Sequence, residues 1–330
     1  MKTFTRETTG DEVVKEFADR IEGKTTQPTY SIVVVTGASE KGLGGETAVA
    51  LAHGNPAHLI LLARSQTRVE SIISRIKEIN PSIQVDFVPV SLDDFDSVRA
   101  AAATINGKIS KLDILINNAG IMAIEKYTTN KQGIEIQFAT NHLGHFLFTK
   151  LLFPKILVAG RGARIVNLTS LGHKICPVHF DNYNFSDGRE YDAWSGYGQS
   201  KTANVLFSLY LANKLRDRGI QSYAVHPGGI YETQLGAHIS DVVQAIGSIE
   251  AYAQKNTGRH FPIDQDPPKS MAQGISTTLV AALDPRIEPQ SGMYMADCQC
   301  QNTYEYAESM EGAEKLWKLS EELVGEKFEV

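Results

Sequence analysis

The chain is short of cysteine, of basic clusters and of long apolar runs, and each shortage excludes a class of protein. Three cysteines, Cys176, Cys298 and Cys300, in 330 residues are too few, and odd in number, for a disulfide framework; they fit a reducing compartment. Cys298-Gln299-Cys300 has no matching Cys/His cluster elsewhere, so no metal site is expected and the pair reads as structural. No run approaches the roughly eighteen apolar residues of a membrane span, and Met1-Lys2-Thr3-Phe4-Thr5-Arg6-Glu7 lacks the apolar centre of a secretory signal. A cytoplasmic protein is the expectation. The net charge of −6, with no basic block, argues against nucleic acid or an anionic membrane as partner.

What is present is a globular core. Apolar residues make up 42% and charged residues 21% of the chain, and α/β folds of this length run as one unit. Asp11 to Ile21 reads as an amphipathic helix. After Gly23 and Pro28, strands and helices alternate. Strands are expected at Ser31–Thr36, His58–Ala63, Gln84–Val90, Ile114–Asn117, Arg164–Thr169, Gln221–His226 and Gly292–Ala296. Helices fit between them at Gly45–Ala52, Gln66–Ile79, Asp94–Asn106, Gly133–Leu157 and Ser195–Arg218. The strands are short, apolar and largely unalternating, as in a parallel sheet covered on both faces. The fold class is therefore α/β: a doubly wound parallel sheet of the Rossmann type, one domain with an N-terminal extension over residues 1–30. Two segments break the alternation, Leu171–Trp194, rich in aromatics, and Ile230–Lys269. Both leave the carboxyl edge of the sheet and are expected to wall a substrate pocket.

Val33-Val34-Val35-Thr36-Gly37-Ala38-Ser39-Glu40-Lys41-Gly42-Leu43-Gly44 is a strand followed by a glycine-rich turn and a helix start. Glycines let the backbone approach a pyrophosphate, and the helix N-terminus offers N–H groups and a positive dipole end. The second strand ends in Arg64, where a cofactor without a 2′-phosphate would meet an acidic residue. Arg64 and Lys41 favour a phosphate there, with Ser39 and Ser65 as added hydroxyl contacts, so the cofactor is expected to be NADP(H).

Ser195-Gly196-Tyr197-Gly198-Gln199-Ser200-Lys201 adds the chemistry. On a helix, Tyr197 and Lys201 share a face, and Ala203, Val205, Leu206, Leu209, Leu211, Ala212 and Leu215 give the helical pattern. A free phenol titrates near pH 10; an ammonium beside it is expected to lower that value toward the working range. Ser170, at the end of a strand, would hold a substrate oxygen as charge develops there.

These residues together resemble the short-chain dehydrogenase/reductase family, and within it the retinol-dehydrogenase-like branch as expanded in fungal metabolism. The matching motifs are Leu112-Asp-Ile-Leu-Ile-Asn-Asn-Ala-Gly120, Asn141-His-Leu-Gly-His-Phe146, Arg164-Ile-Val-Asn-Leu-Thr-Ser170, Tyr197-Gly-Gln-Ser-Lys201 and His226-Pro-Gly228, and the likeness runs from about Thr8 to Val324. By that resemblance Asn141, Ser170, Tyr197 and Lys201 form a catalytic tetrad, with Asn141 interrupting a helix and holding a relay water. The resemblance also implies cofactor contacts at Gly37, Ser39, Lys41, Gly42, Leu43, Gly44, Arg64, Ser91, Leu92, Asn118, Ala119, Gly120, Tyr197, Lys201, Pro227, Gly228, Ile230 and Thr233, and no metal. Three departures stand out: four residues rather than three between Gly37 and Gly42, Ser91 in place of the usual Asp, and an extra residue before Thr233.

The implied reaction is reversible hydride transfer between the nicotinamide and a carbon bearing oxygen, on a small-molecule ketone, aldehyde or alcohol that the aromatic-rich inserts suggest is hydrophobic and fairly bulky, with a role in secondary metabolism. Reduction of C=C or imine bonds, an assisted isomerisation or cyclisation, and a non-catalytic NADP(H)-binding protein are the alternatives. A metal-dependent dehydrogenase lacks its ligand cluster. The family often pairs through the tyrosine-bearing helix and its neighbour, which makes a homodimer or tetramer an expectation, unless Thr303–Val330 covers that surface.

Overall fold

A computed structural model describes residues 2–22, 32–239 and 242–330. Gly23, Pro28 and the remainder of the extension to residue 30, Ser31 at the expected start of the first strand, and residues 240–241 of the second insert lie outside the described residues.

In chain order the elements are α1 (Gly10–Glu22), β1 (Ile32–Thr36), α2 (Leu43–Ala52), β2 (His58–Ala63), α3 (Glu70–Ile79), β3 (Gln84–Pro89), α4 (Phe95–Lys108), β4 (Ile114–Asn117), the single turn α5 (Ile136–Phe138), α6 (Gly144–Ala159), β5 (Arg164–Leu168), α7 (Ala193–Leu215), β6 (Gln221–Val225), α8 (Val242–Thr257), the short α9 (Met271–Gly274), α10 (Ser276–Leu283), β7 (Tyr294–Ala296), β8 (Gln299–Gln301), the short α11 (Glu305–Glu308) and α12 (Met310–Val324). The strands form one sheet in the order β3-β2-β1-β4-β5-β6-β7-β8. All neighbours are parallel except β7 and β8. The expected strands stand where the sequence places them, with ends moved by one or two residues. The eighth strand was not expected. It follows a two-residue turn in which Asp297 and Cys298 hold φ of 52° and 64°, the geometry that joins two antiparallel strands directly.

The period of two along each strand divides the core. Val34, Ile60 and Leu62 face a cluster with α4, α6, α7 and α12. Val33, Val35, Leu59 and Leu61 face the other way, into α1, α2, α3 and α10. Both faces are thus apolar, and the strands read as continuous apolar runs for that reason. The α1 helix packs Val13, Val14, Phe17 and Ile21 into the second cluster; it lies outside the sheet, as its amphipathic pattern indicates. The strand order reverses between β1 and β4, which opens a crevice at their carboxyl ends.

Candidate active site

The glycine turn after β1 forms one wall of that crevice. Gly37 has φ +68°. A Cβ at Gly44 would lie 2.4 Å from Nδ2 of Asn118 and 2.6 Å from the Gly37 carbonyl oxygen, so only glycine lets the turn and the β4 loop meet. Gly42 caps α2 in an extended conformation, and the N–H groups of Leu43, Gly44 and Gly45 have no acceptor within the helix. The turn therefore fits a pyrophosphate. Lys41, with φ +55°, absorbs the extra residue of the turn. The backbone of Glu40 donates to the Arg68 carbonyl at 2.8 Å, which lays residues 64–68, carrying exposed Arg64 and Arg68, beside the turn. Arg68 escaped the sequence reading because it follows the strand end by five residues.

Several expected contacts have other occupations. Asn118 Nδ2 donates to the Thr36 carbonyl at 2.8 Å, so its amide braces the turn. The Ser91 hydroxyl donates to Asp93 Oδ1 at 2.6 Å; the carboxylate stands two residues beyond the position the family pattern indicates. Leu92 is buried in the core, and its carbonyl would lie 2.3 Å from a Cβ at Gly144. Ile230 packs over Gly274 beside Leu43, and the Thr233 hydroxyl turns back to the Ile230 carbonyl at 3.4 Å.

At the centre, Asp192 caps α7 by accepting from Ser195 N at 2.7 Å, and the helix carries Tyr197 and Lys201 into the protein, 3% and 4% exposed. The fit around the phenol is close: a Cβ at Gly172 would lie 2.6 Å from Tyr197 Cε1. Ser170 Oγ accepts from Gly172 N at 3.0 Å, and its hydroxyl acts on the phenol to favour the ionised form. Lys201 Nζ donates to the Leu168 carbonyl at 3.2 Å and sits 5.6 Å from the Tyr197 ring centre. Beyond it, a Cβ at Gly120 would lie 3.4 Å from Lys201 Nζ and 3.1 Å from Asn141 Oδ1. Asn141 stands in a π-helical turn, Ala139–Leu143, where the expected continuous helix Gly133–Leu157 is broken. Its side chain accepts from Ile121 N at 2.8 Å and donates to Ile121 O and Ser200 Oγ, each at 2.9 Å. The structure thus brings together all four residues of the expected tetrad.

The electrostatics differ from the expectation. Burial pushes the Tyr197 phenol up to about 12, with the Ser170 hydroxyl opposing, and burial lowers Lys201 to about 8. Desolvation disfavours both charged forms, and the ammonium stands 5.6 Å from the centre of the phenol ring. In this arrangement Tyr197 is a protonated donor at neutral pH.

On the β6 side, Gly228 has φ +97° and its Cβ would lie 2.7 Å from Cδ of Lys269. The buried Lys269 pairs with Asp297 at 2.5 Å, and its backbone donates to the Gly229 carbonyl at 2.9 Å. The end of the second insert therefore clamps the Pro227-Gly228 turn, a contact across forty residues that no local pattern reveals.

The inserts differ in what they contribute. Most aromatics of the first pack structurally: Tyr183 lies on Phe138, Phe185 and Tyr127 edge onto Tyr191, and the Tyr191 hydroxyl donates to the Ile124 carbonyl at 2.6 Å. Trp194 is the exception, edge-on to Tyr197 at 6.3 Å. From the second insert, α8 brings Ile249 and Ala253 against Leu171, Ile175 and Trp194. An apolar roof over the Ser170–Tyr197 region results. A Cys176–His179 contact at 3.1 Å is no nucleophilic pair, because burial pushes the thiol far up and the imidazole down.

A glycine-cradled helix N-terminus at the switch point, with Tyr, Lys, Ser and Asn gathered beside it, defines a dinucleotide-dependent oxidoreductase. The short chain dehydrogenase family model matches residues 31–243. The chain is similar to retinol dehydrogenase 12 of Mus musculus, 35% identical over 322 residues, 97% of this chain and 95% of the relative. It is similar also to a short-chain dehydrogenase/reductase of Penicillium roqueforti, 34% identical over 304 residues, 88% and 83% of the two chains. Among solved structures, one of an uncharacterised Mycobacterium paratuberculosis protein superposes with a TM-score of 0.67 at 28% identity, over 91% of this chain and 95% of that one. The fold of an NADPH-bound carbonyl reductase from chicken fatty liver matches with a TM-score of 0.55 at 22% identity, over 84% and 95%. The chain belongs to the short-chain dehydrogenase family, in its retinol-dehydrogenase-like branch, and is an oxidoreductase that uses a nicotinamide cofactor. Among the described residues, no helix is long and apolar enough to cross a membrane.

Proposed function

We propose that the protein interconverts a bulky hydrophobic ketone or aldehyde and its alcohol with NADP(H), Tyr197 acting as general acid/base. The observation that carries this reading is the convergence of Ser170, Tyr197, Lys201 and Asn141 beside the Gly120 loop, under an apolar roof. A bound nicotinamide would supply or accept the hydride. Ser170 orients the substrate oxygen, and Tyr197, protonated at neutral pH, donates to it in the reducing direction. Lys201, held on the Leu168 carbonyl, keeps a cation close to the oxygen that carries the developing charge. Asn141 keeps the turn facing Lys201 open through its bonds to Ile121.

Preference for the 2′-phosphate rests on Lys41, Arg64 and Arg68, and on β2 being followed directly by Arg64 where a carboxylate would otherwise stand. The substrate class rests on the apolar roof and on relatives that are named retinol dehydrogenases. Fluorescence titration with NADPH and NADH tests the first point. NADPH should bind more tightly, and Arg64→Ala should remove most of the difference; equal binding of both overturns it. Turnover of retinal, absent in Tyr197→Phe, tests the second.

A further inference from the structure

His145 does not belong to the expected tetrad, yet its ring joins two parts of the site. It lies on α6 one turn after Asn141 and is 2% exposed. Nδ1 is 3.0 Å from the Asn141 backbone carbonyl, which can only accept, so Nδ1 carries the proton. Nε2 is then an acceptor, and it lies 2.8 Å from Thr36 Oγ1. The Thr36 oxygen already accepts from Asn118 N at 2.9 Å and from Ala119 N at 3.0 Å. Its own proton is therefore directed at His145; the alternative acceptor, the Ile116 carbonyl, is 3.5 Å away. Every polar atom in this chain has one role, and the tautomer follows from the partners.

The partners are the backbone of the site. Thr36 ends β1 at the glycine turn, Asn118 and Ala119 form the loop facing it, and Asn141 is the π-helical turn opposite Lys201. Thr149, one turn further along α6, repeats the pattern by accepting from Asn117 Nδ2 at 3.0 Å. Burial and the nearby Lys201 charge hold the His145 imidazole neutral, so the strut adds no second cation beside the ammonium.

We propose that His145 is a positioning residue, acting as the neutral Nδ1–H tautomer, that ties the dinucleotide cradle at Thr36 and Asn118–Ala119 to the Asn141 turn. Its consequence for turnover rests on the function proposed above; its geometry does not. His145→Phe fills the space and removes both hydrogen bonds. His145→Gln restores one donor and one acceptor at a similar separation. We expect His145→Phe to weaken NADPH binding by about tenfold or more and to lower kcat, because buried polar groups lose their partners. His145→Gln should stay within about threefold of the wild type in both. Long-range proton–nitrogen NMR of the wild type, with the His145 signals identified by their loss in His145→Gln, should show a neutral ring protonated on Nδ1. An imidazolium or an Nε2–H ring overturns the proposal, as does a His145→Phe protein that binds and turns over normally. A His145→Gln protein as impaired as His145→Phe reduces the residue to packing and overturns it also. Should His145→Phe fail to fold, the Gln variant and the NMR measurement decide. If the wild type binds neither dinucleotide, the cofactor reading falls, and the tautomer still decides the strut.

Discussion

Asp266 accepts a hydrogen bond from Nε2 of His226 at 3.0 Å, which leaves Nδ1 of that ring to accept from the backbone N–H of Leu171 at 3.1 Å. The last residues of the second insert thereby hold the turn that carries Ser170. Asp266→Ala should lower kcat by about tenfold or more through misplacement of that turn, while Asp266→Asn, which keeps an acceptor, should retain most activity. Steady-state kinetics on both variants check this; equal loss in both would show that the charge, not the hydrogen bond, matters.

The phenol has its own gatekeeper. A Cβ at Gly172 would stand 2.6 Å from Cε1 and 2.9 Å from Cδ1 of Tyr197, so Gly172→Ala must displace the ring. Turnover is expected to fall by about a hundredfold, with dinucleotide binding unchanged in titration. Gly107→Ala, in α4 with nothing within 4 Å of its Cβ, is the matched control and should stabilise the protein by about 0.5–1 kcal/mol.

Much of this architecture is legible in the sequence because it is local. Val33–Val35 and Leu59–Leu62 announce buried parallel strands, and the glycines of the first turn announce the close approach at Asn118. The separation between Tyr197 and Lys201 is a helical repeat. What is illegible is either distant or a matter of sign. The His226–Asp266 pair spans forty residues, and β8 is a short polar strand with no apolar signature. Spacing alone suggests that Lys201 lowers the Tyr197 pKa. Burial, which no spacing encodes, raises it instead, with Ser170 as the opposing influence.

Acid should destabilise the fold in a defined window. His142, His145 and His173 are buried, and desolvation lowers them from 6.5 to about 3, 4 and 3. The unfolded chain takes up protons on them below about pH 6.5 while the folded chain does not, so their contribution is lost as pH falls toward 4. Glu135, raised by burial from 4.5 to about 7, acts oppositely, since the folded state holds its proton between those values. Near pH 5.5 these three imidazoles against one carboxyl leave about two protons, a slope of about 3 kcal/mol per pH unit, and His179, also lowered by burial, adds in the same direction. Urea unfolding between pH 5 and 6.5 should show stability falling with acidification, and Glu135→Gln should steepen the slope. Stability that is flat or rising toward pH 5 would contradict these burials.

The C-terminal helix bears on assembly. Trp317 of α12 stacks on Tyr210 at 4.5 Å and meets Phe146 edge-on at 5.0 Å. Phe328 follows onto Phe146 and Phe153 at 5.6 and 5.2 Å, and Glu326 pairs with Arg99 on α4 and Lys150 on α6. This segment covers the outer faces of α6 and α7, the helices that the family resemblance makes the expected pairing surface. A chain that covers its own apolar face has no need of a second copy there, so light scattering should report a monomer near 36.2 kDa. Trp317→Ala should cost about 3–5 kcal/mol, the usual loss for a buried tryptophan. Removal of residues 310–330 should uncover Phe146 and Phe207 and turn the protein into dimers or aggregates. A wild-type dimer whose interface maps to α6 and α7 would refute this role for α12, because the same rings cannot face both the helix and a partner.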